Sequence, residues 1–181
     1  APDLTIDTPA NKTVSACDGD IAAQWDAFVA AFSVSGGCSP SGAFEVTPAM
    51  PDVCGGSIEL NYQVSDVCYA GSDNKATFTI TAAPDLTIDT PANKTVSACD
   101  GDIAAQWDAF VAAFSVSGGC SPSGAFEVTP AMPDVCGGSI ELNYQVSDVC
   151  YAGSDNKATF TITAAPDLTI DTPANKTVSA C

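Results

Sequence analysis

The sequence repeats itself at a period of 82 residues without a single substitution. Residues 83–164 are identical to residues 1–82, and residues 165–181 are identical to residues 1–17. This period exceeds the roughly 20–50 residues of solenoid and propeller repeats and suits a small domain with its own core. We predict two complete domains, 1–82 and 83–164, and a truncated third repeat at 165–181. A stop inside a copy is expected of a window on a longer array.

The charge of the chain is strongly acidic. Each copy has eight Asp and two Glu against two Lys, the whole chain carries −17, and Arg and His are absent. Nucleic acid and anionic membranes are bound through basic side chains, so this composition excludes both classes of partner. The charges are scattered and 46% of residues are hydrophobic, which indicates a folded protein. The apolar stretches are too short for membrane insertion.

Each copy contains four cysteines. They are Cys17, Cys38, Cys54 and Cys68 in the first copy and Cys99, Cys120, Cys136 and Cys150 in the second, and Cys181 is a ninth. Four cysteines in a domain of this size are typical of two disulfides and of an extracellular or cell-surface protein. The alternative is a zinc site, which the absence of histidine and of any CxxC pair disfavours. We predict that all eight are in disulfides and that the protein has no metal and no cofactor.

The hydrophobic pattern changes period along each copy. Leu4 and Ile6 alternate with polar residues until Pro9 interrupts, which predicts an edge strand that resumes at 12–16. In DGDIAAQWDAFVAAF the apolar residues recur at helical spacings of four, three and four. They are Ile21, Trp25, Phe28 and Phe32.

The second half of each copy reads as strands. FEV (44–46) predicts a short strand, and SIELNYQVSD (57–66) alternates with Ile58, Leu60, Tyr62 and Val64 inward. YAGSDNK predicts a turn and ATFTITA (76–82) a returning strand. We therefore predict a mainly β fold, with tandem antiparallel β-sandwich domains that each contain one inserted α-helix, and the family resemblance given below implies that these domains are immunoglobulin-like. The three-residue AAP joint predicts closely stacked neighbours.

The strand at 57–66 limits how the cysteines can pair. Cys54 precedes it and Cys68 follows it, and ten extended residues span about 33 Å. Bridged Cα atoms lie within about 7 Å of each other. This geometry disfavours a Cys54–Cys68 bond.

If the first and last strands of a copy run parallel side by side, other cysteines come close enough for a disulfide. Immunoglobulin-like sandwiches often have this arrangement, and it brings Cys17 near Cys54 and leaves Cys38 for Cys68. We predict these two bonds within each copy. Each closes a loop of 30-odd residues and contributes roughly 3–4 kcal/mol of stability in the chain-entropy estimate.

Several motifs resemble a known family. TVSAC, SGGC, CGGSIELNYQVSDVC and the closing ATFTITA are similar to the hyalin-type, immunoglobulin-like repeats of Bacteroidetes surface adhesins and extracellular fibre proteins. The resemblance covers the whole repeat and implies a stalk, spacer or adhesive fibre without catalytic residues. The second cysteine often seen in the family's last hairpin is missing, so the family's disulfide map is not carried over whole.

Three further features have both a functional and a structural interpretation. NKT at Asn11, Asn93 and Asn175 is an N-glycosylation sequon on an expected surface turn, although such triplets also arise by chance. Asp18 and Asp20 suit either calcium or a helix N-cap, and the cap is favoured because EF-hand spacing is absent. Trp25 could stack on a sugar, but its helical phase favours the core.

The function predicted is structural. Without His or Arg, and with Glu45 and Glu59 on separate strands, no enzyme is indicated. We expect a disulfide-stabilised repeat of an extracellular fibre or adhesin stalk, stacked end to end, with neighbouring repeats and other chains as partners. The alternative is a multivalent glycan-binding adhesin module.

The opening segment APDLTIDTPANKTVSAC allows two registers. It can pack into the copy that follows, in which case Cys17 bonds Cys54 and Cys181 has no partner. It can instead complete the preceding copy, in which case Cys181 is bonded and Cys17 is not. We favour the first register because immunoglobulin-like domains usually begin with their own edge strand.

Overall fold

The computed structural model describes residues 2–153 and 155–179, and within them the chain is mainly β with one helix in each copy. The elements of the first copy are β1 (Thr5–Asp7), β2 (Lys12–Ser15), α1 (Ile21–Ala30), β3 (Ser33–Ser35), β4 (Ser41–Phe44), β5 (Gly56–Asp66) and β6 (Tyr69–Thr81). Those of the second are β7 (Leu86–Asp89), β8 (Lys94–Ser97), α2 (Ile103–Ala112), β9 (Ser115–Gly118), β10 (Ser123–Phe126), β11 (Gly138–Ser147) and β12 (Asp155–Thr163). The predicted fold class is confirmed at this level, and the immunoglobulin-like assignment stays a prediction.

Each copy contributes a four-stranded sheet and a two-stranded sheet. The larger sheets have the orders β2-β6-β5-β4 and β8-β12-β11-β10, and the smaller ones pair β1 with β3 and β7 with β9. β5 runs antiparallel to β4 and β6, whereas β2 runs parallel to β6 and β8 parallel to β12. The predicted parallel placement of the first and last strands is therefore confirmed.

The alternation of β5 and β6 builds one face of the core. Leu60 pairs opposite Ala76 in the antiparallel register, and both side chains are buried. Phe78 is fully buried in the next inward position of β6. On the outer face, Nζ of Lys75 lies 3.5 Å from Oε1 of Glu59. The strand pattern thus separates apolar and charged faces as predicted.

The helix covers the inward face with aromatic side chains. Ile21, Trp25, Phe28 and Phe32 are all buried, and the Trp25 ring meets Phe78 edge-on with a centroid distance of 5.4 Å. Trp25 is only 7% exposed, so its interpretation as a core residue is confirmed. The second copy repeats this core with Ile103, Trp107, Phe110 and Phe114.

The opening segment of each copy pairs with strands of its own copy. β1 pairs with β3 and β2 with β6, and the equivalent strands β7 and β8 pair with β9 and β12. The strand pairing of the register favoured from the sequence is confirmed in both copies, but the Cys17–Cys54 bond expected with it is not formed, because Cys17 bonds Cys120. The expectation for Cys181 falls outside the described residues.

Two local predictions are wrong. The strand predicted at 44–46 lies at Ser41–Phe44, since the chain leaves the sheet before Pro48, which has no N–H to donate. The turn predicted at YAGSDNK is instead made by Val67 and Cys68 in the first copy, and β6 starts at Tyr69.

The identical segment at 165–179 contains no helix or strand. Leu168 and Ile170 are 86% and 75% exposed, whereas the equivalent Leu4 and Ile6 are half-buried.

The chain divides into two compact units. Unit 1 comprises Ala1–Asp89, Ser115–Ala125 and Gln145–Asp155, and unit 2 comprises Thr90–Phe114, Phe126–Tyr144 and Asn156–Cys181. The first aromatic core lies in unit 1 and the second in unit 2. These bounds differ from the repeat boundaries, so the domains 1–82, 83–164 and 165–181 stay a prediction. Neither helix in the described ranges has the length and apolarity needed to span a membrane.

Candidate functional site

The four cysteines of the first copy lie in two groups of two, one group at each end of β5. We call Cys17 and Cys54 the strand-end pair, because Cys17 follows β2 and Cys54 precedes β5. We call Cys38 and Cys68 the loop pair, because they lie in the β3–β4 connection and in the turn after β5. The equivalents in the second copy are Cys99 with Cys136 and Cys120 with Cys150.

Strand register places the strand-end pair at one end of the sheet. Ser15 pairs with Thr81, and Gly56 pairs with Ile80 on the other side of β6. The backbone N–H of Cys17 donates to Oγ of Ser15 at 3.1 Å, and that of Cys54 donates to Oδ1 of Asp52 at 2.8 Å. The second copy has the same two bonds at Cys99 and Cys136.

Asp66, the last residue of β5, holds the backbone around the loop pair. Its carboxylate accepts hydrogen bonds from the N–H of Ser39 at 2.5 Å and from that of Cys38 at 3.2 Å. The N–H groups of Val67 and Cys68 bond the same carboxylate. These donors, with Ser39 the strongest, lower the pKa of Asp66 below its ordinary value of 3.8, although desolvation opposes them.

Glycine makes this approach of the β3–β4 connection sterically feasible. Gly36 and Gly37 have φ angles of 77° and 61°, which favour glycine. A Cβ on Gly37 would lie 3.0 Å from the Asp66 carboxylate. The SGGC motif thus lets Cys38 reach Asp66.

The second copy repeats the Asp-centred arrangement. Asp148 accepts hydrogen bonds from the N–H groups of Cys120 at 3.1 Å and Ser121 at 2.7 Å. Those of Cys150 and Val149 also bond it, and the pKa of Asp148 is lowered in the same way, with Ser121 the main cause.

Two disulfides join the copies, and both lie within unit 1. Cys17 bonds Cys120, with a Cα–Cα distance of 4.8 Å and a sequence separation of 103 residues. Cys54 bonds Cys150, with a Cα–Cα distance of 5.3 Å and a separation of 96 residues. Both Cα distances are ordinary for disulfides. In each bond, a strand-end cysteine of the first copy meets a loop cysteine of the second.

The predicted pairing within each copy is therefore wrong. Cys17 and Cys54 lie at the same end of the sheet as expected, but β6 stands between β2 and β5. Both cysteines lie outside the strands, two residues after the end of β2 and two residues before the start of β5. Each of them bonds a loop cysteine of the second copy instead.

Four of the cysteines that the structure describes are outside disulfides. They are Cys38, Cys68, Cys99 and Cys136, and all four are exposed. Their predicted membership in disulfides is not seen in this chain. The four comprise the loop pair of the first copy and the strand-end pair of the second.

Disulfide formation coincides with burial of the loop pair. Cys120 and Cys150 are half-buried and pack against the aromatic core of unit 1, as does Ala83 from the AAP joint. The identical Cys38 and Cys68 are exposed. The bonded loop pair therefore has apolar packing that the unbonded pair lacks.

The sequon asparagines have a structural role in the first two copies. Oδ1 of Asn11 accepts a hydrogen bond from the N–H of Thr77 at 2.9 Å, and Oδ1 of Asn93 accepts one from Thr159 at 2.8 Å. Each of these bonds adds one hydrogen bond beyond the last backbone bond of the β2–β6 or β8–β12 pairing. Asn11, Asn93 and Asn175 are all exposed, and their glycosylation stays a prediction.

The aspartates before the helix do not make the predicted cap. Asp20 occupies the N-cap position of α1, but its carboxylate accepts from the side chain of Gln24 at 2.7 Å, and no side-chain bond caps the helix. Oδ2 of Asp18 accepts from the N–H of Ser15 at 2.9 Å. Across residues 2–153 and 155–179, no group of three His, Cys, Asp or Glu residues could hold a metal ion.

No protein-family model matches the chain, and no curated protein matches its sequence. The similarity to hyalin-type repeats therefore rests on the motifs alone.

Sequence reasoning did not identify Asp66 and Asp148 as site residues. The available signal was the D-x-C spacing at the end of the central strand, because an aspartate often accepts hydrogen bonds from the backbone just after it. The second signal was the paired glycines of SGGC, which marked a loop with left-handed backbone.

Proposed function

We propose that this chain is a structural repeat of an extracellular fibre or adhesin stalk of the hyalin-type class. The observation that carries the proposal is the pair of disulfides, which both join one copy to the next. A disulfide inside a copy would stabilise that domain alone. Bonds between successive copies instead reinforce the connection that a stalk must maintain.

The chemistry of the chain agrees with this role. Disulfides persist in oxidising compartments, which favours an extracellular location. A charge of −8 on every copy supports solubility in an exposed polymer. The proposed partners are neighbouring identical repeats, and no catalytic activity is proposed.

The length of longer arrays tests the stalk. Arrays of two, four and eight copies would be labelled at both ends and imaged by electron microscopy. A stalk requires the end-to-end distance to grow in proportion to the number of copies, whereas flexibly linked domains extend roughly as its square root. The matched control replaces Cys54 and Cys150, and their equivalents at every joint, with serine, and we expect it to show a wider spread of lengths.

Glycan binding by the same arrays tests the rival function. The stalk proposal expects no sugar-specific binding on a glycan array, since the Trp25 ring lies in the core. Robust binding to one class of sugar, with affinity rising with copy number, would favour the multivalent adhesin instead.

A further inference from the structure

The carboxylate of Asp148 holds the backbone of both cysteines in the second loop pair. It accepts a hydrogen bond from the N–H of Cys120 at 3.1 Å, although the two residues are 28 positions apart in the sequence. The N–H of Cys150 bonds the same carboxylate, as do those of the neighbours Ser121 and Val149. Two separate segments of the chain are therefore tied to one side chain.

We propose that Asp148 is a positioning residue that selects the disulfide partners of this loop pair. Four cysteines allow three complete pairings. The structure has Cys17–Cys120 and Cys54–Cys150. The same cysteines could instead bond as Cys17–Cys150 with Cys54–Cys120, or each pair could close on itself. This selection is independent of the stalk function.

Asp148 lies where the disulfides form. All four bonded cysteines and Asp148 belong to unit 1. Cys54, Cys150 and Asp148 line one cavity of about 450 Å³, so the carboxylate lies beside a bond whose partner it would select. A disulfide requires suitably directed Cβ atoms as well as a short Cα separation. A loop whose two cysteines are fixed at the backbone directs each sulfur to one partner.

The hydrogen bonds to Asp148 are strong enough to hold the loop. Bonds to an ionised carboxylate are roughly twice as strong as those between neutral groups. The N–H donors, with Ser121 the strongest, lower the pKa of Asp148 below its ordinary value of 3.8, although desolvation opposes them. The carboxylate is therefore ionised at neutral pH, where disulfides form by thiolate attack.

The identical arrangement in the first copy forms without a disulfide. Asp66 accepts from the N–H groups of Cys38 at 3.2 Å and Ser39 at 2.5 Å, and the equivalent bonds at Asp148 are 3.1 and 2.7 Å long. Cys38 and Cys68 are not bonded in this chain. The carboxylate therefore needs no disulfide to arrange its loop, as is required of a residue that acts before the bonds close.

The selection takes place through thiol–disulfide exchange with glutathione disulfide as the oxidant. For each bond, one thiolate attacks glutathione disulfide, forms a mixed disulfide and releases one glutathione. The partner thiolate attacks the mixed disulfide and releases the second glutathione, so the two thiols give up two protons and two electrons in all. A wrong bond is corrected when a free thiolate attacks it and releases one of its sulfurs as a thiolate, which consumes no oxidant.

The share of each pairing in a chain with only the four bonded cysteines tests the proposal. In this background chain, the other five are replaced by serine: Cys38, Cys68, Cys99, Cys136 and Cys181. The chain is equilibrated with reduced and oxidised glutathione, and peptide mapping measures the three pairings. For Asp148→Ala, we expect the ratio of the native pairing to the other two to fall about tenfold, because a hydrogen bond to a charged group contributes at least that factor.

Asp66→Ala is the matched control. It removes the same backbone acceptor from the identical loop of the first copy, where no bonded cysteine lies, so we expect the pairing to stay unchanged. Asp148→Asn keeps one oxygen that can accept from Cys120 and Ser121, and its ratio should lie between those of the background chain and Asp148→Ala. Denaturant titration of each variant distinguishes a shift in pairing from a general loss of stability.

A second pair of variants changes the same contact and keeps the aspartate. Gly119 has a φ angle of 58°, and a Cβ there would lie 2.8 Å from Oδ2 of Asp148. Gly119→Ala should therefore displace the carboxylate and shift the pairing in the same direction as Asp148→Ala. Gly37→Ala makes the equivalent change beside Asp66, where the φ angle is 61°, and should leave the pairing unchanged.

Three results decide the outcome. Native pairing retained in Asp148→Ala would overturn the proposal. An equal shift in Asp66→Ala would also overturn it, because loss of stability in either loop would then explain the change. If the background chain has Cys17–Cys120 and Cys54–Cys150 while Asp148→Ala keeps them, the stalk proposal retains its supporting observation. If the background chain lacks those bonds, both proposals fail.

Discussion

Stretching a single molecule tests the disulfide connectivity, because the length of the stretched chain depends on which residues the disulfides bypass. The molecule is held at its two termini, and the five other cysteines are replaced by serine: Cys38, Cys68, Cys99, Cys136 and Cys181. Once every domain has unfolded, the shortest covalent path crosses from Cys17 to Cys120 and bypasses 103 residues. At about 3.5 Å per residue, adding a reductant should lengthen the stretched chain by roughly 360 Å.

Two matched variants give different lengths. Replacing Cys54 and Cys150 with serine should leave the stretched length unchanged, because the Cys17–Cys120 bond already bypasses more residues. Replacing Cys17 and Cys120 leaves a bypass of 96 residues instead of 103, so the oxidised chain should lengthen by only about 25 Å.

Pairing within each copy predicts another result. In the same background, Cys17–Cys54 and Cys120–Cys150 bonds would bypass 37 and 30 residues. Reduction would then release roughly 235 Å. A gain of that size would refute the connectivity and, with it, the reinforcement of successive copies.

Three smaller perturbations test the core, the Asp66 site and the sequon. Trp25→Ala should lower the free energy of unfolding by about 3–5 kcal/mol in a denaturant titration. The control Val67→Ala changes a residue that is 77% exposed and should alter that free energy by less than about 0.5 kcal/mol. A loss below about 1 kcal/mol for Trp25→Ala would place the indole on the surface. The lowered pKa of Asp66 contributes stability that is complete above its ordinary value of 3.8 and is lost as pH falls through the folded-state pKa. Asp66→Asn should therefore make the free energy of unfolding fall less steeply as the solution is acidified. An unchanged dependence on acidic pH would contradict this. Asn11→Ala should cost about 0.5–1.5 kcal/mol by leaving the N–H of Thr77 without its acceptor, while Asn11→Asp keeps an oxygen there; equal thermal stability of the alanine variant and the native chain would rule out that bond.

Local patterns in the sequence predicted part of the fold. The helical spacing from Ile21 to Phe32 and the alternation around Leu60 each specify a buried face without reference to distant residues. The parallel placement of β2 beside β6 was also predictable, because the first and last strands of immunoglobulin-like sandwiches often pair in this way. These elements supply the core, and the structure confirms them.

The cysteine connectivity was not predictable by the same reasoning. The sequence placed Cys17 and Cys54 at one end of the sheet, and the structure has them there with β6 between β2 and β5, but each bonds a cysteine of the second copy. The actual partners are more than 90 residues away and belong to an identical copy. Because the copies are identical, no local pattern distinguishes a cysteine that bonds within its copy from one that bonds the next.

The two disulfide loops overlap along the chain, and this protects the molecule against cutting. One loop runs from Cys17 to Cys120 and the other from Cys54 to Cys150, so every peptide bond between Cys17 and Cys150 lies inside at least one loop. A single proteolytic cut anywhere in that stretch leaves both fragments attached. The loop of 103 residues is longer than the 82-residue period, so in an array with the same bonds at each copy the protection would have no gaps. A string of domains joined by the backbone alone parts at its first cut linker, whereas this chain would survive the same cut.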